Sequence, residues 1–487
     1  MSSEPRRLHP AGILVLAVDA LRDAAVPMLV VAAVALAGGG LDADALRQAL
    51  VLAVAGAVVA AIAGLVTWST TTWFLTPETV RLRTGWLAKR AVDIPLTRVQ
   101  SVDTVRGPIQ RLFGVQGVDV QTAGGGKEGE IRLVALAAAD VEALRVAVGA
   151  RRPAALATEE AEEPVVVRRL GAGALLVAAL TSGQVGVLVP VLAAAPQVAD
   201  QLAGGDLEDA GREGVRLVPG DAGEWVLAAG ALLGAAWLLA ILGTIAAFAG
   251  FRVARRDDRL RIRRGLLARR EATVTVPRVQ AVLVVEGILR RPFGLAALRV
   301  EVAGYKAEAA AARTLFPLLR RRDVPEFLAA VLPEHAAGLD GLAPPPPRAW
   351  RRYVLPPALA GLALGTLLWA VLGGPAVPWP LALALPGAAA GVLARRAAGW
   401  RLEGGRLALR SRRLARVTVL APAARLQQVS RSQSLLQRRA RLADVTVAVG
   451  AGTRARVRHL DADVAAGIYA ALRDPGRRPA GQGTRGP

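Results

Sequence analysis

The chain has no cysteine, only three histidines, and few aromatic residues, 4% of its 487 positions. Without cysteine there can be no disulfide, no thiolate metal site and no thiol nucleophile. His9, His335 and His459 lie far apart, and no two have the spacing of metal ligands. No Ser-His-Asp set can be assembled around them. Acidic residues are also scarce. There are 39, against 61 Lys and Arg, for a formal charge of +22 that is nearly all Arg.

Aliphatic sequence fills the rest. Hydrophobic residues make up 53%, and the mean hydropathy of +0.39 is high for an ordinary soluble chain of this length. Charged residues, at 21%, are too many for a chain lying wholly in a membrane. The two kinds of residue separate into blocks. Six apolar blocks stand at about 24–40, 46–66, 170–195, 224–250, 353–373 and 376–394. Each approaches the roughly 20 residues a helix needs to cross a bilayer. The expectation is six transmembrane helices in three pairs.

The connections alternate in charge. Within pairs they are acidic or neutral: Asp42 and Asp44, then Asp200, Asp206, Glu208, Asp209, Glu213 and Asp221, then a turn near Gly373 and Pro375. Outside the pairs they are basic: Arg6 and Arg7, Arg81, Arg83, Lys89 and Arg90, Arg168 and Arg169, Arg252, Arg255 and Arg256, Arg351 and Arg352, Arg395 and Arg396. By the positive-inside rule both termini and the three long segments are expected in the cytoplasm. Residues 11–23 contain Asp19, Arg22 and Asp23, which suits an interfacial amphipathic helix. No Ala-x-Ala site follows a short apolar core, so no signal peptide is expected.

The three long segments repeat one another. "RVQSVDTVRGPIQRLFG" (98–114) returns 180 residues later as "RVQAVLVVEGILRRPFG" (278–294). The third copy keeps Pro422, Arg425-Leu426-Gln427 and Gln437-Arg438, but has Ala440-Arg441 in place of Phe-Gly. "TVRLRTGWL" and "RLRIRRGLL" alternate at period two and stop at Gly, which predicts strands and turns. "AVDIPLTRVQSVDTV" and "ATVTVPRVQAVLVV" read as continuing strand. "GVDVQTAGGGKEGEIRLVAL" reads as a hairpin. Asp140, Asp323 and Asp463 are expected to cap a closing helix in each copy. The Phe-Gly pair is expected to supply a core anchor and a turn.

The Arg-x-Gln-x-Val strand with its following Gly and Phe-Gly, repeated after span pairs, resembles the bacterial pleckstrin-homology-like (PH-like) family of multi-pass membrane proteins, the YdbT-like group. "RLHP" at 7–10 resembles the opening of those proteins. The resemblance covers nearly the whole chain. It implies three PH-like β-barrels, each capped by a C-terminal helix, in a bacterial cell membrane, and no known reaction.

The expected organisation is an interfacial segment and span pair over 1–66 and a PH-like domain over 67–168. A second pair with an acidic external loop follows over 169–250, then a PH-like domain over 251–352. The third pair takes 353–394, the last PH-like domain 395–475, and a disordered Pro/Gly/Arg tail 476–487.

"AGGGKEGE" (123–130) lacks the Gly-Lys-Ser/Thr ending of a phosphate loop and has no helix after it. The acidic loop lacks the pattern of a calcium hand. No cofactor, metal or catalytic residue is expected. Residues 395–487 hold twenty Arg against five acids, a net of +15. With so few aromatics for base stacking, nucleic acid is not the expected partner. The repeated Arg98, Arg278 and Arg425, with Arg111, Arg291 and Arg438, are instead candidates for anionic lipid headgroups or for a membrane or cytoplasmic protein. The expected function is a non-enzymatic scaffold or binding module at the inner leaflet. The alternative is a transporter or exporter component with a path between span pairs, though the spans contain few ionisable groups.

Overall fold

A computed structural model describes residues 6–20, 43–85, 89–122, 130–150, 165–181, 240–303, 314–336, 338–372, 378–449 and 453–473, with 234, 237 and 238. In chain order the first elements are β1 (Arg6–Arg7), α1 (Ala11–Ala20) and α2 (Ala43–Thr70). The first long segment gives β2 (Thr72–Leu75), β3 (Thr79–Thr84), β4 (Arg90–Pro95), β5 (Val99–Arg106), α3 (Pro108–Leu112), β6 (Val115–Thr122), β7 (Glu130–Ala137) and α4 (Ala138–Ala150). Then come β8 (Val165–Arg169), α5 (Ala172–Leu180) and α6 (240–248).

The second segment gives β9 (Arg252–Arg256), β10 (Arg259–Arg264), β11 (Arg269–Thr275), β12 (Val279–Glu286), β13 (Leu295–Val302), β14 (Thr314–Arg320) and α7 (Val324–Val331). Helices α8 (Trp350–Leu372) and α9 (Trp379–Ala397) follow. The third segment gives β15 (Gly399–Glu403), β16 (Arg406–Arg412), β17 (Arg416–Pro422), β18 (Gln428–Ser432), α10 (Leu435–Arg439), β19 (Leu442–Val449), β20 (Thr453–Asp461) and α11 (Ala462–Arg473).

Each segment is therefore three strands, a 3-10 turn, three more strands and a helix. The period-two reading holds: Val80 and Leu82 in β3 point inward, as do Leu260 and Ile262 in β10. The reading of unbroken strand through Arg-Val-Gln does not. A 3-10 turn interrupts it at Leu96–Arg98, Val276–Arg278 and Ala423–Arg425, and the repeated Arg closes each turn. Pro95, Pro277 and Pro422 stand at these breaks, where a missing N–H stops the ladder.

The chain divides into two compact units. One comprises Met1–Pro164, Arg169–Arg252 and Ile262–Thr273, the other Val165–Arg168, Val253–Arg261 and Val274–Pro487. In the first, one sheet runs β1-β2-β3-β4, and β7, β6 and β5 continue into β11 of the next segment. Trp73, Val80, Val118, Ile131, Leu133, Leu136 and Leu144 fill its core. The N-terminal segment packs onto this body. His9 N–H donates to the Ala135 carbonyl at 3.1 Å, the Trp68 indole donates to the Leu8 carbonyl at 2.9 Å, and Ala11 is buried with Val115 and Ala135.

In the second unit a six-stranded sheet runs β14-β13-β12-β17-β16-β15, and a three-stranded sheet runs β18-β19-β20. Leu407, Leu409, Val419, Val445, Val447 and Val457 pack beneath Ala465, Ile468 and Leu472 of α11. Phe316 of β14 and Phe327 of α7 meet at 5.4 Å.

Among the described residues four antiparallel sheets dominate, and the expectation of six membrane-crossing helices in three pairs is corrected. Among the described residues one helix, Pro347–Ala370, is long and apolar enough to cross a membrane. Shorter apolar helices span Ala11–Ala20 and Val54–Thr70. Helix α9 contains Pro386 and closes on Arg395 and Arg396, which lowers its apolar content below that of a span. Residues 24–40, 182–195 and most of 224–239 lie outside the described residues, as do the tail and the tip of the "AGGGKEGE" hairpin.

The expected Asp caps are also revised. Asp140 and Asp463 sit inside the first turns of α4 and α11. Asp323 holds the N-cap position of α7 but makes no capping hydrogen bond. It pairs instead with Arg168 at 3.4 Å. A carboxylate in a first turn still favours the helix dipole.

Candidate membrane-facing loops

The loop after the fourth strand of each segment has one design. Pro108-Ile109-Gln110-Arg111-Leu112-Phe113 corresponds to Ile288-Leu289-Arg290-Arg291-Pro292-Phe293 and to Leu435-Leu436-Gln437-Arg438-Arg439-Ala440. The third residue ties each loop back to its body. Gln110 donates to the Val134 carbonyl at 3.4 Å and Arg290 to the Pro317 carbonyl at 3.1 Å, while Gln437 donates to the buried Asp444 carboxylate at 2.6 Å. Burial, with Arg299 nearby, pulls the Arg290 pKa down to about 10.

Each loop ends in the left-handed region: Gly114 at φ +66°, Gly294 at +62° and Arg441 at +50°. The third copy keeps the turn with a residue that disfavours it. A capping box between Ser434 and Gln437 supports its short helix, a device absent from α3.

The expected Phe core anchor is overturned. Phe113 is 44% exposed and Phe293 73%. Leu112 and Leu435 are 81% exposed, and Ile288, Leu289 and Leu436 are exposed too. The turn at the far end of the second strand adds more apolar surface: Leu266 and Leu267 between β10 and β11, and Leu414 between β16 and β17. Gly265, at φ +106°, makes the first of these turns possible, because a Cβ there would lie 2.0 Å from the Ala268 carbonyl oxygen.

These tips stand where helices enter. In the first unit Gly265 N–H donates to the Ala249 carbonyl at 2.9 Å and Leu266 N–H to the Ala246 carbonyl at 2.8 Å, just after and within α6. Arg264 lies over the Phe248 ring at 5.3 Å. In the second unit Arg348, before α8, donates to the carbonyls of Ala440 (3.1 Å) and Arg441 (3.3 Å) and pairs with Asp461. Arg352 donates to the Leu436 carbonyl at 3.0 Å and Tyr353 to the Arg458 carbonyl at 2.7 Å. The base of the membrane-length helix is thus bonded to the loop that presents Leu435.

Helices α8 and α9 pack backbone to backbone. A Cβ on Gly361 would lie 2.2 Å from the Leu383 carbonyl oxygen, and one on Gly365 2.2 Å from that of Trp379. On α9, a Cβ on Gly387 would lie 2.2 Å from the Pro357 carbonyl oxygen, and one on Gly391 2.4 Å from that of Tyr353. Gly-x-x-x-Gly on both partners is a packing solution suited to lipid, where close backbone approach replaces hydrophobic driving force.

The six repeated arginines do not share one setting. Arg111 donates to the carbonyls of Leu267 (2.7 Å) and Leu266 (3.5 Å), holding the neighbouring apolar turn. Arg291 faces Arg412, whose pKa is lowered by burial and then by Arg291 and Arg416. Arg438 is exposed beside Leu435. Of the turn-closing set, Arg98 is exposed and Arg278 half-buried. Arg425 donates to the carbonyls of Val276 and Val279, on either side of Arg278, and pairs with Glu334. Arg425 is therefore a clamp between the second and third segments, while Arg291 and Arg438 lie in the apolar-tipped loops.

A cavity of about 420 Å³ beside Arg401 and Arg406 has those guanidinium groups bonded to the carbonyls of Gly338, Asp340 and Ala336. No cluster of three metal-ligating side chains occurs among the described residues.

The bacterial PH domain family profile matches residues 15–152, 167–335 and 352–475. The chain belongs to the bacterial PH domain family. Each of its three matches contains one repeat of strands, loop and helix together with the segment before it. A relative in Bacillus subtilis (strain 168), named the transmembrane protein YdbT, is 27% identical over 476 residues, which is 92% of this chain and 93% of that protein. The family assignment and that relative agree with the membrane-length helix: this is a membrane protein carrying bacterial PH domains. The exposed Leu and Phe tips were not foreseen from sequence. Their signal is the unpaired apolar residue beside Arg in "PIQRLF", "ILRRPF" and "LLQRR", which burial statistics alone assign to a core.

Proposed function

We propose that this bacterial PH domain protein is a non-enzymatic scaffold at the cytoplasmic leaflet, with its apolar-tipped loops set into the lipid interface. The observation that carries this reading is the bonding of the Leu435-Leu436 loop to the base of α8 through Arg348 and Arg352. Each exposed Leu or Phe gains about 1.5–3 kcal/mol when fully removed from water. Each nearby Arg adds about 1 kcal/mol at an anionic surface. The partners are anionic lipids and a membrane or cytoplasmic protein, not nucleic acid. The inward orientation is supported by Arg351 and Arg352 at the start of α8, the membrane-length helix.

Labelling tests the orientation. The chain has no cysteine, so Glu403→Cys supplies one reactive site in the full protein. A membrane-impermeant maleimide should label it only after cell lysis. Equal labelling in intact cells would overturn the reading.

A further inference from the structure

The repeats are joined by one rule. The fourth strand of a segment pairs antiparallel with the third strand of the next. In the first junction Arg106, Val105 and Thr104 of β5 face Arg269, Arg270 and Glu271 of β11. In the second, Glu286, Val285, Val284, Leu283 and Val282 of β12 face Arg416, Val417, Thr418, Val419 and Leu420 of β17. Shifted by the repeat offsets of 180 and 147 residues, these are the same register.

The rule leaves two strands over. β4 is the third strand of the first segment and ends its sheet; β18 is the fourth strand of the last segment and ends its sheet. Each is the half of a junction whose other half the chain supplies elsewhere. Half of β4 and most of β18 face outward, including Ala91 and Asp93 in β4 and Gln428, Arg431 and Ser432 in β18. We propose that β18 of one copy pairs with β4 of a second copy, so that the protein assembles head to tail by the edge contact it already makes twice within itself.

Continuing the register places Arg431 opposite Ala91, Ser430 opposite Val92 and Val429 opposite Asp93. Arg431 then lies diagonal to Asp93, within reach for an opposite-charge pair. Polar residues do not disqualify these edges, because the first junction is polar too: Asp103 accepts from the Thr273 N–H at 3.3 Å. Nor does Pro95, since Pro422 holds the same place in β17 and lies beyond the paired residues. Charged edges commonly resist pairing; here a strand that follows the same register is the one partner they fit. The contact is heterologous, so it forms rings or open rows rather than a two-fold dimer.

The test uses full chains in their membranes. One tagged chain carries Ala91→Cys, and a second, differently tagged, carries Arg431→Cys; both positions are exposed. Mild oxidation should give a disulfide-linked species bearing both tags, with the linked peptides identified by mass. Its yield should exceed by about tenfold that of Ala91→Cys with Ser432→Cys, whose side chains leave opposite faces. Absence of the adduct, or equal yields from the two pairs, in chains that elute like the parent would overturn the proposal.

Discussion

Glu286 and Arg416 face one another across the boundary between the second and third repeats, and the Glu286 carboxylate is buried. The Arg416 Nε donates to Glu286 Oε1 at 2.9 Å, and Arg321 approaches the same oxygen at 3.7 Å. At the equivalent place in the first junction two arginines, Arg106 and Arg269, stand opposite each other in the open. One contact has been built twice with opposite electrostatics. Arg416→Ala should leave a buried carboxylate short of its main partner and cost about 3–5 kcal/mol. Arg106→Glu should stabilise its exposed junction by no more than about 1 kcal/mol. Urea unfolding of the full chain in detergent reads both.

Arg441 occupies a left-handed position that the other two repeats give to Gly. Arg441→Gly should stabilise the third repeat by about 1 kcal/mol, the cost a side chain incurs there. Its carbonyl contacts, to Arg348 and to the Ala462 N–H, are backbone and survive the change. A rise in the urea midpoint with unchanged slope is the expected result.

His335 is 2% exposed, and its pKa is depressed from 6.5 to about 4, first by burial and then by the Arg425 guanidinium. The unfolded chain therefore binds the proton more readily than the folded one. Stability is full above pH 6.5 and falls as pH drops from 6.5 to about 4, by about 3 kcal/mol, with no further loss from this group below that. His335→Leu should flatten that limb in unfolding series at stepped pH.

Gly387 sits where a Cβ would meet the Pro357 carbonyl oxygen at 2.2 Å, and both partners are backbone, so neither can turn aside. Gly387→Val should separate α8 from α9 and lower the thermal midpoint. Gly467→Ala, on α11 with open space around it, should not. The pair distinguishes close packing from a general cost of losing glycine.

Much of this architecture is legible in the sequence because its signals are local. Alternation in "TVRLRT" fixes which face of β3 is buried, and the 180-residue offset reveals the repeat. Junctions are not local. One neighbour of β12 is β17, more than a hundred residues away, and its Arg416 gives the buried Glu286 a partner in an otherwise apolar strand. Phe113 and Phe293 mislead for a related reason: hydrophobicity signals a wish to leave water, not whether protein or lipid receives the side chain. The apolar blocks mislead in the other direction. Length and aliphatic content give six spans, whereas Pro386 and the closing Arg395-Arg396 set α9 apart from α8.

Depth-dependent quenching shows whether the loop tips enter lipid. The full chain carrying Leu435→Cys, labelled with an environment-sensitive fluorophore, is reconstituted into bilayers containing phosphatidylglycerol and brominated acyl chains. Glu403→Cys, at the other end of β15 from α9, serves as the reference. With the tips in lipid, emission at position 435 is blue-shifted and strongly quenched by bromine, more weakly without phosphatidylglycerol, and position 403 shows little quenching. Equal, water-like emission from both positions would contradict entry of the tips into lipid.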